Sequence, residues 1–235
     1  MEKGHVLVTG ADRGLGRALC AGLLRQGWHV IAGQYMPDWH ELSALAEEFP
    51  QTLHTIPLDV SSMESIHSAA RAVETLTGHL DVLINNAGIN SSIRFTIREP
   101  QDYAEMHLLY DVNALGPLRT VEAFLPLMES SHARRLCFIS SEAGSISRAE
   151  RTSWFGYCMS KAALNMAVKL LFNDLHPAGY TFRVYHPGSV RSYMDQNGAM
   201  DPEIAAAKAI PILLGDREEE DRLVMLDYEG KEWPW

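Results

Sequence analysis

The sequence predicts one α/β domain, a Rossmann-type doubly wound parallel sheet with helices on both faces, and three observations lead there. Short β-branched or apolar runs alternate with longer helical stretches through most of the 235 residues. A chain of this length can bury a sizeable core without disulfides or a metal. No Gly/Pro/Ser-rich linker divides it, which favours a single domain over 1–235 against two small ones.

The apolar runs in order are 6–8, 30–32, 53–58, 82–84, 135–139, 182–185 and 223–226, each short enough for a strand. Between them, 15–26, 61–76, 115–130 and 155–175 suit helices. Such alternation implies right-handed βαβ crossovers and a sheet covered on both faces. The stretch 155–175 has apolar residues on nearly all sides, so burial inside the monomer and burial against a second subunit are both open readings. The acidic run 216–221 reads as a solvated turn.

Composition narrows the function classes. Hydrophobic residues make up 46% and charged residues 21%, a globular balance that excludes a disordered chain. The formal charge of −10 argues against a nucleic-acid duplex as partner, because such binding needs Lys and Arg on phosphates. Cys20, Cys137 and Cys158 are scattered and odd in number, which fits neither a disulfide framework nor a zinc motif and points to a reducing compartment. The apolar run at the N-terminus is too short for a signal segment, and nothing reaches the length of a membrane span, so the expected location is cytoplasmic. The ten histidines, among them His5, His40, His107 and His186, form no HxxxH pair and show no shared face with carboxylates. Neither a structural metal nor metal-dependent catalysis is expected.

The segment from Thr9 to Gly16 follows the first strand and opens the first helix. Gly10, Gly14 and Gly16 allow a tight turn and a close backbone approach to a pyrophosphate, whose charge the helix N-terminus stabilises. The spacing is GxxxGxG, unlike the GxGxxG of the commonest dinucleotide-binding enzymes. Tyr157 and Lys161 stand one helical turn apart and therefore share a face. A phenol with a pKa near 10 is a poor acid–base group at neutral pH, and a neighbouring ammonium would lower it.

Further segments accompany the glycine loop in fixed order: Asp59-Val60, Asn85 to Gly88, Asn113, Ser141, Tyr157 to Lys161, and Pro187-Gly188. Together they resemble the short-chain dehydrogenase/reductase family. The run 160–165 and the closing 230–235 are similar to its short carbonyl-reductase branch, which includes C-factor-like proteins.

That resemblance implies NAD(P)-dependent hydride transfer, with reduction of a small carbonyl compound to an alcohol as the expected reaction. Tyr157 would donate the proton, Lys161 would support it and bind the nicotinamide ribose, Ser141 would polarise the carbonyl, and Asn113 would kink its helix and hold a water leading to Lys161. Ser141 is chosen over Ser140 because it lies three residues before Gly144. The cofactor set would comprise Gly10, Asp12, Arg13, Gly14, Leu15, Gly16, Gln34, Asp59, Val60, Asn86, Ala87, Gly88, Pro187, Gly188, Val190 and Ser192.

An acidic residue at the end of the second strand would repel a 2′-phosphate, but Gln34 stands there, and Arg13 offers a positive charge. NADP(H) is therefore favoured over NAD(H). Segments 89–98, 145–155 and 192–202 would shape the substrate pocket, and the helices at 115–130 and 155–175 would build a homodimer or homotetramer. The alternative is a cofactor-binding sensor or interaction protein on the same fold without turnover.

Overall fold

A computed structural model describes residues 3–193 and 196–235; residues 194 and 195 of the expected pocket segment 192–202 lie outside the described residues. One eight-stranded sheet forms the centre, in the order β3-β2-β1-β4-β5-β6-β7-β8. Its strands are β1 (His5–Thr9), β2 (His29–Gln34), β3 (Leu53–Pro57), β4 (Val82–Asn85), β5 (Arg135–Ile139), β6 (Thr181–His186), β7 (Met225–Asp227) and β8 (Glu232–Trp233). All neighbours pair in parallel except β7 with β8. The order reverses between β1 and β4, and a crevice for a ligand opens at such a switch point.

The helices are α1 (Gly14–Arg25), α2 (Glu41–Glu48), α3 (Met63–Thr77), α4 (Tyr103–Tyr110), α5 (Gly116–Glu129), α6 (Phe155–Leu175) and α7 (Pro202–Leu214). Strand side chains alternate between two cores, as the pleat requires. Leu7, Ile31, Leu83, Leu136 and Phe138 face α3, α5 and α6. Val6, Val8, Val30, Ala32, Val82 and Ile84 face α1, α2 and α7.

Two sequence expectations change here. The last apolar run pairs two residues later than 223–226, as β7, and turns through Gly230 at φ 78° into β8. Asp227 fixes that turn by accepting from the backbone N–H groups of Glu229 (2.8 Å) and Lys231 (3.0 Å). The run 216–221 is not merely a solvated turn. Arg183, 2% exposed on β6, donates to both carboxylate oxygens of Glu220 at 2.7 and 2.5 Å, and Arg135 pairs with Asp216 at 2.8 Å. A buried guanidinium needs such partners, and the acidic run supplies them.

Helix α6 resolves into two faces. Leu164, Val168, Phe172 and Leu175 are buried in the core, while Met159, Met166 and Leu170 are exposed. Among the described residues, no helix is long and apolar enough to cross a membrane.

Candidate active site

The glycine loop is built for close approach. Gly10 and Gly14 adopt φ of 63° and 56°, the left-handed region that glycine enters without strain. A Cβ on Gly16 would sit 2.1 Å from the carbonyl oxygen of Gly10, and one on Gly10 would sit 2.8 Å from Ala87 Cα. The first turn of α1 carries no acidic residue, and its N-cap, Arg13, makes no side-chain cap. Its N–H groups and positive dipole end are thus left for an anion.

The neighbouring residues hold this loop in place. Thr9 Oγ1 accepts from the N–H groups of Asn86 (3.1 Å) and Ala87 (2.9 Å), and Asn86 Nδ2 donates to the carbonyls of Thr9 (2.9 Å) and Gly10 (3.1 Å). Asp12 is buried and accepts from the N–H groups of Tyr35 and Met36, which ties the loop to the end of β2. Gln34 uses its amide to donate to the carbonyls of Met36 (2.9 Å) and Trp39 (3.1 Å). Arg13 lies between two rings, with its guanidinium carbon 4.6 Å from the Trp39 centroid and 4.2 Å from that of Tyr193. No ion pair of Arg13 occurs among the described residues. Leu15 packs partly buried in the first turn of α1.

Asp59 accepts from the N–H and hydroxyl of Ser61 through one oxygen, 2.9 and 2.7 Å away, and so shapes the turn into α3. It is not the cap of that helix; Ser62 is. Val60 is buried beside Gly116, where a Cβ would meet it at 2.9 Å. On the other side of the crevice, Gly188 has φ 76° and packs on Tyr228. Val190 bridges to Met200, and Ser192 comes against Gly14, whose Cβ would lie 3.6 Å from it. The segment after Pro187 therefore reaches back to the phosphate loop.

The four proposed catalytic residues converge beside it. Residues Asp111–Leu115 form a π-helical turn joining α4 to α5, and Asn113 sits in it, fully buried. Its Oδ1 accepts from Ile89 N–H (2.8 Å), and its Nδ2 donates to Ile89 carbonyl (2.9 Å) and to Ser160 Oγ (3.0 Å). Asn113 thus fastens the strand-end loop after β4 to α6 by direct bonds. A single-turn π-bulge is a recognised mark of functional helices. A Cβ on Gly88 would lie 3.1 Å from Asn113 Oδ1 and 3.7 Å from Lys161 Nζ, so both residues crowd the same glycine.

Ser141 caps a short helical turn, accepting from Ala143 N–H at 3.1 Å, and its hydroxyl stands beside the Tyr157 phenol, where it pulls the phenol pKa down. Ser140 instead donates to Asn165 Oδ1 at 2.6 Å inside the core, a strand-end role as expected. Burial pushes the Tyr157 phenol up to about 12, outweighing the pull of Ser141. Lys161 donates to Ile139 carbonyl at 3.0 Å, with Nζ 5.9 Å from the Tyr157 centroid, and burial lowers its ammonium to about 8. Desolvation is the largest influence on both groups, raising the phenol and lowering the ammonium.

Three further participants join them; Trp154 and Arg94 lie in the expected pocket segments 145–155 and 89–98, and Ser160 alone escapes sequence reading. Trp154, at φ 70°, stacks on Tyr157 with centroids 4.6 Å apart and planes 19° apart. Arg94 lies 3.9 Å above the Trp154 ring, and Trp154 Nε1 donates to Ser91 carbonyl at 3.3 Å. Segments 89–98 and 145–155 meet through the Thr96–Ser153 bridge, and Arg151 pairs with Glu142. The third participant is Ser160, which accepts from Asn113 and donates to Tyr157 carbonyl at 2.8 Å. A Trp three residues before the Tyr was visible in sequence, but its backbone conformation was not.

Comparison with known proteins gives the family and the fold. The short chain dehydrogenase family model matches residues 4–202. An uncharacterized oxidoreductase of Schizosaccharomyces pombe is 33% identical over 94% of this chain and 88% of its own length. C-signal of Myxococcus xanthus is 36% identical over 71% of this chain and 99% of its own. A carbonyl reductase from chicken fatty liver, crystallised with NADPH, has a TM-score of 0.87 at 29% identity, covering all of both chains. With the family model spanning most of the chain and a relative matched along nearly its whole length, the protein belongs to the short-chain dehydrogenases and is an oxidoreductase of that family.

Proposed function

We propose that this protein reduces a small carbonyl compound to an alcohol with NADPH. The observation that carries the reading is the convergence of three groups: Lys161, buried one turn along the helix from Tyr157, holds its Nζ 5.9 Å from the Tyr157 ring centroid, and Ser141 acts on the same phenol. The residues present fit a dinucleotide, since side chains at Gly10 or Gly16 would fill the cradle and the start of α1 lacks any cap. Gly10, Asp12, Arg13, Gly14, Leu15, Gly16 and Gln34 would surround the adenosine phosphates. Asp59, Val60, Asn86, Ala87 and Gly88 would line the adenosine, and Pro187, Gly188, Val190 and Ser192 the nicotinamide amide.

When bound, the reduced nicotinamide supplies a hydride to the carbonyl carbon. Ser141 orients the carbonyl oxygen by hydrogen bonding, and Tyr157 delivers its proton to that oxygen as negative charge develops. A phenol held at about 12 stays protonated across neutral pH, as a proton donor must. The ammonium of Lys161 then stabilises the phenolate left behind and holds the nicotinamide ribose, and Asn113 keeps α6 and the loop after β4 in register for both. Trp154 forms an aromatic wall beside Tyr157, suited to a flat apolar substrate.

Arg13 would pair with the 2′-phosphate of NADP(H), held in place by Trp39 and Tyr193, while Gln34 brings no opposing charge. The NADPH-bound carbonyl reductase of the same fold supports this preference. Self-association would use α5 and α6, where Leu118, Met166 and Leu170, with Tyr110 at the end of α4, leave an exposed apolar groove. Light scattering that finds only monomer removes that part.

The test is NADPH oxidation over a panel of ketones, aldehydes and quinones, with Tyr157→Phe as control. Comparable turnover by the variant eliminates the mechanism. The similarity to a protein named C-signal favours a second reading, a dinucleotide-binding interaction protein. A stable NADPH complex with no turnover on any carbonyl would select it.

A further inference from the structure

We propose that His5, His79 and Asp81 form a binding site for a divalent transition-metal ion of the zinc type, at the end of the sheet opposite the dinucleotide crevice. His5 opens β1, and residues 79–81 lead into β4, so the site lies where these two central strands begin. One ligand atom from each residue falls within 4.8 Å of the other two. The sequence reading found no histidine sharing a face with a carboxylate; the tertiary fold brings these three together across 74 residues of chain.

Two of the three donor separations match the edge of a tetrahedral site, and the third lies within 4.8 Å. His5 Nδ1 lies 3.4 Å from His79 Nε2, and His79 Nε2 lies 3.4 Å from Asp81 Oδ2. With Zn–N and Zn–O bonds of about 2.0–2.1 Å, two ligands of a tetrahedral ion stand about 3.3–3.4 Å apart. Oxygen and nitrogen donors of this mixture suit zinc, cobalt, nickel and copper rather than calcium or magnesium.

The surrounding bonds aim these atoms. His79 Nδ1 lies 3.2 Å from the carbonyl of Thr77, an acceptor only, so this nitrogen carries the proton. Nε2 is then the ring nitrogen that faces both His5 Nδ1 and Asp81 Oδ2, as a metal ligand in this cluster would. The hydroxyl of Ser131 donates to the other oxygen of Asp81 at 2.5 Å, and the backbone N–H of His5 donates to Oδ2 at 2.7 Å. These are the bonds that orient a metal-ligating carboxylate. The side chains of His79 and Asp81 are 38% and 14% exposed, which leaves an entry path and room for a water ligand. The ring of His29, paired with His5 across the β1–β2 ladder, stands 5.3 Å from that of His5.

Such an ion would clasp the start of β1 to the segment before β4, far from Tyr157. Its role is structural, and its test is independent of turnover. Tag-free full-length protein, stripped with a chelator, is titrated with Zn²⁺ by calorimetry and with Co²⁺ by visible absorption. Expected are one zinc per chain, a four-coordinate cobalt spectrum, and a rise in Tm that chelator reverses. His79→Ala and Asp81→Asn should each weaken binding by about tenfold or more while leaving far-UV circular dichroism and NADPH affinity unchanged. His107→Ala, on exposed α4, should bind as the parent does. Absence of zinc uptake by the parent overturns the site, as does equal uptake by the parent and both ligand variants. Should Asp81→Asn fail to fold, His79→Ala and His5→Gln still decide the matter.

Discussion

Helices α1 and α3 begin at the same edge of the sheet, yet their first turns are finished in opposite ways. Helix α3 closes on itself: Ser62 caps Ser65 N–H at 3.3 Å, Glu64 stands in the first turn, and Gly78 ends the helix at φ 70°. Helix α1 has neither cap nor acid, and its approach is lined by glycines. A helix N-terminus leaves four N–H groups without partners. In α3 the chain meets that need from within, and in α1 it leaves the need open for a ligand. The same contrast runs through the polar groups: Arg183 is fully paired within the chain, whereas half-buried Tyr157 and buried Lys161 have few partners and displaced pKa values. Open groups should govern activity, and closed groups should govern stability.

The sharpest way to break this contrast is Tyr157→Phe. Carbonyl reduction should fall by about 10²–10⁴, with Tm and NADPH affinity nearly unchanged, as steady-state kinetics and calorimetry would show. A large loss of Tm would move Tyr157 into the closed class. Next in size is Arg183→Met, which strands the Glu220 carboxylate. Denaturant unfolding should report a loss of about 3 kcal/mol, with kcat per folded molecule retained.

Lys161 sharpens the comparison through pH. Its ammonium titrates at about 8, below its ordinary 10.5. The unfolded chain therefore binds the extra proton between those values, and the contribution of this group to stability rises with pH through that window. Activity should move the other way, with kcat/KM declining above about pH 8 as the charge is lost. Lys161→Arg should shift that decline to higher pH, and an unmoved limb would assign it to another group.

Smaller still is Arg13→Ala, expected to weaken NADPH binding about tenfold and leave NADH binding unchanged, the size of one charge-assisted contact. The NADPH preference fails if the two affinities fall together. Smallest is Ser62→Ala, which should cost about 1 kcal/mol of stability and no activity.

Much of this molecule was legible along the chain. The apolar runs mark all six parallel strands that build the crevice, because a strand buried on both faces must be apolar continuously. The glycine loop and the Tyr157–Lys161 pair were also visible, since close backbone approach and a shared helical face depend on spacing alone. Helix α7 was missed, although Asp201 caps it and Pro202 starts it, because Pro211 reads as a breaker and here falls in the last turn. Helices α2 and α4, eight residues each, are too short to show a clear period.

By itself, then, the sequence determined the sheet, the order of its motifs and the identity of the chemical groups, all of which follow from local periodicity and spacing. Tertiary structure decided what those groups experience. Burial, not a neighbouring charge, sets Tyr157 and Lys161; buried Arg183 turns an acidic surface run into a clamp; Trp154 reaches Tyr157 only through its left-handed backbone; and His5 meets His79 and Asp81 only because β1 lies beside β4. Desolvation and long-range juxtaposition depend on the whole packed chain, and no spacing within a segment encodes them.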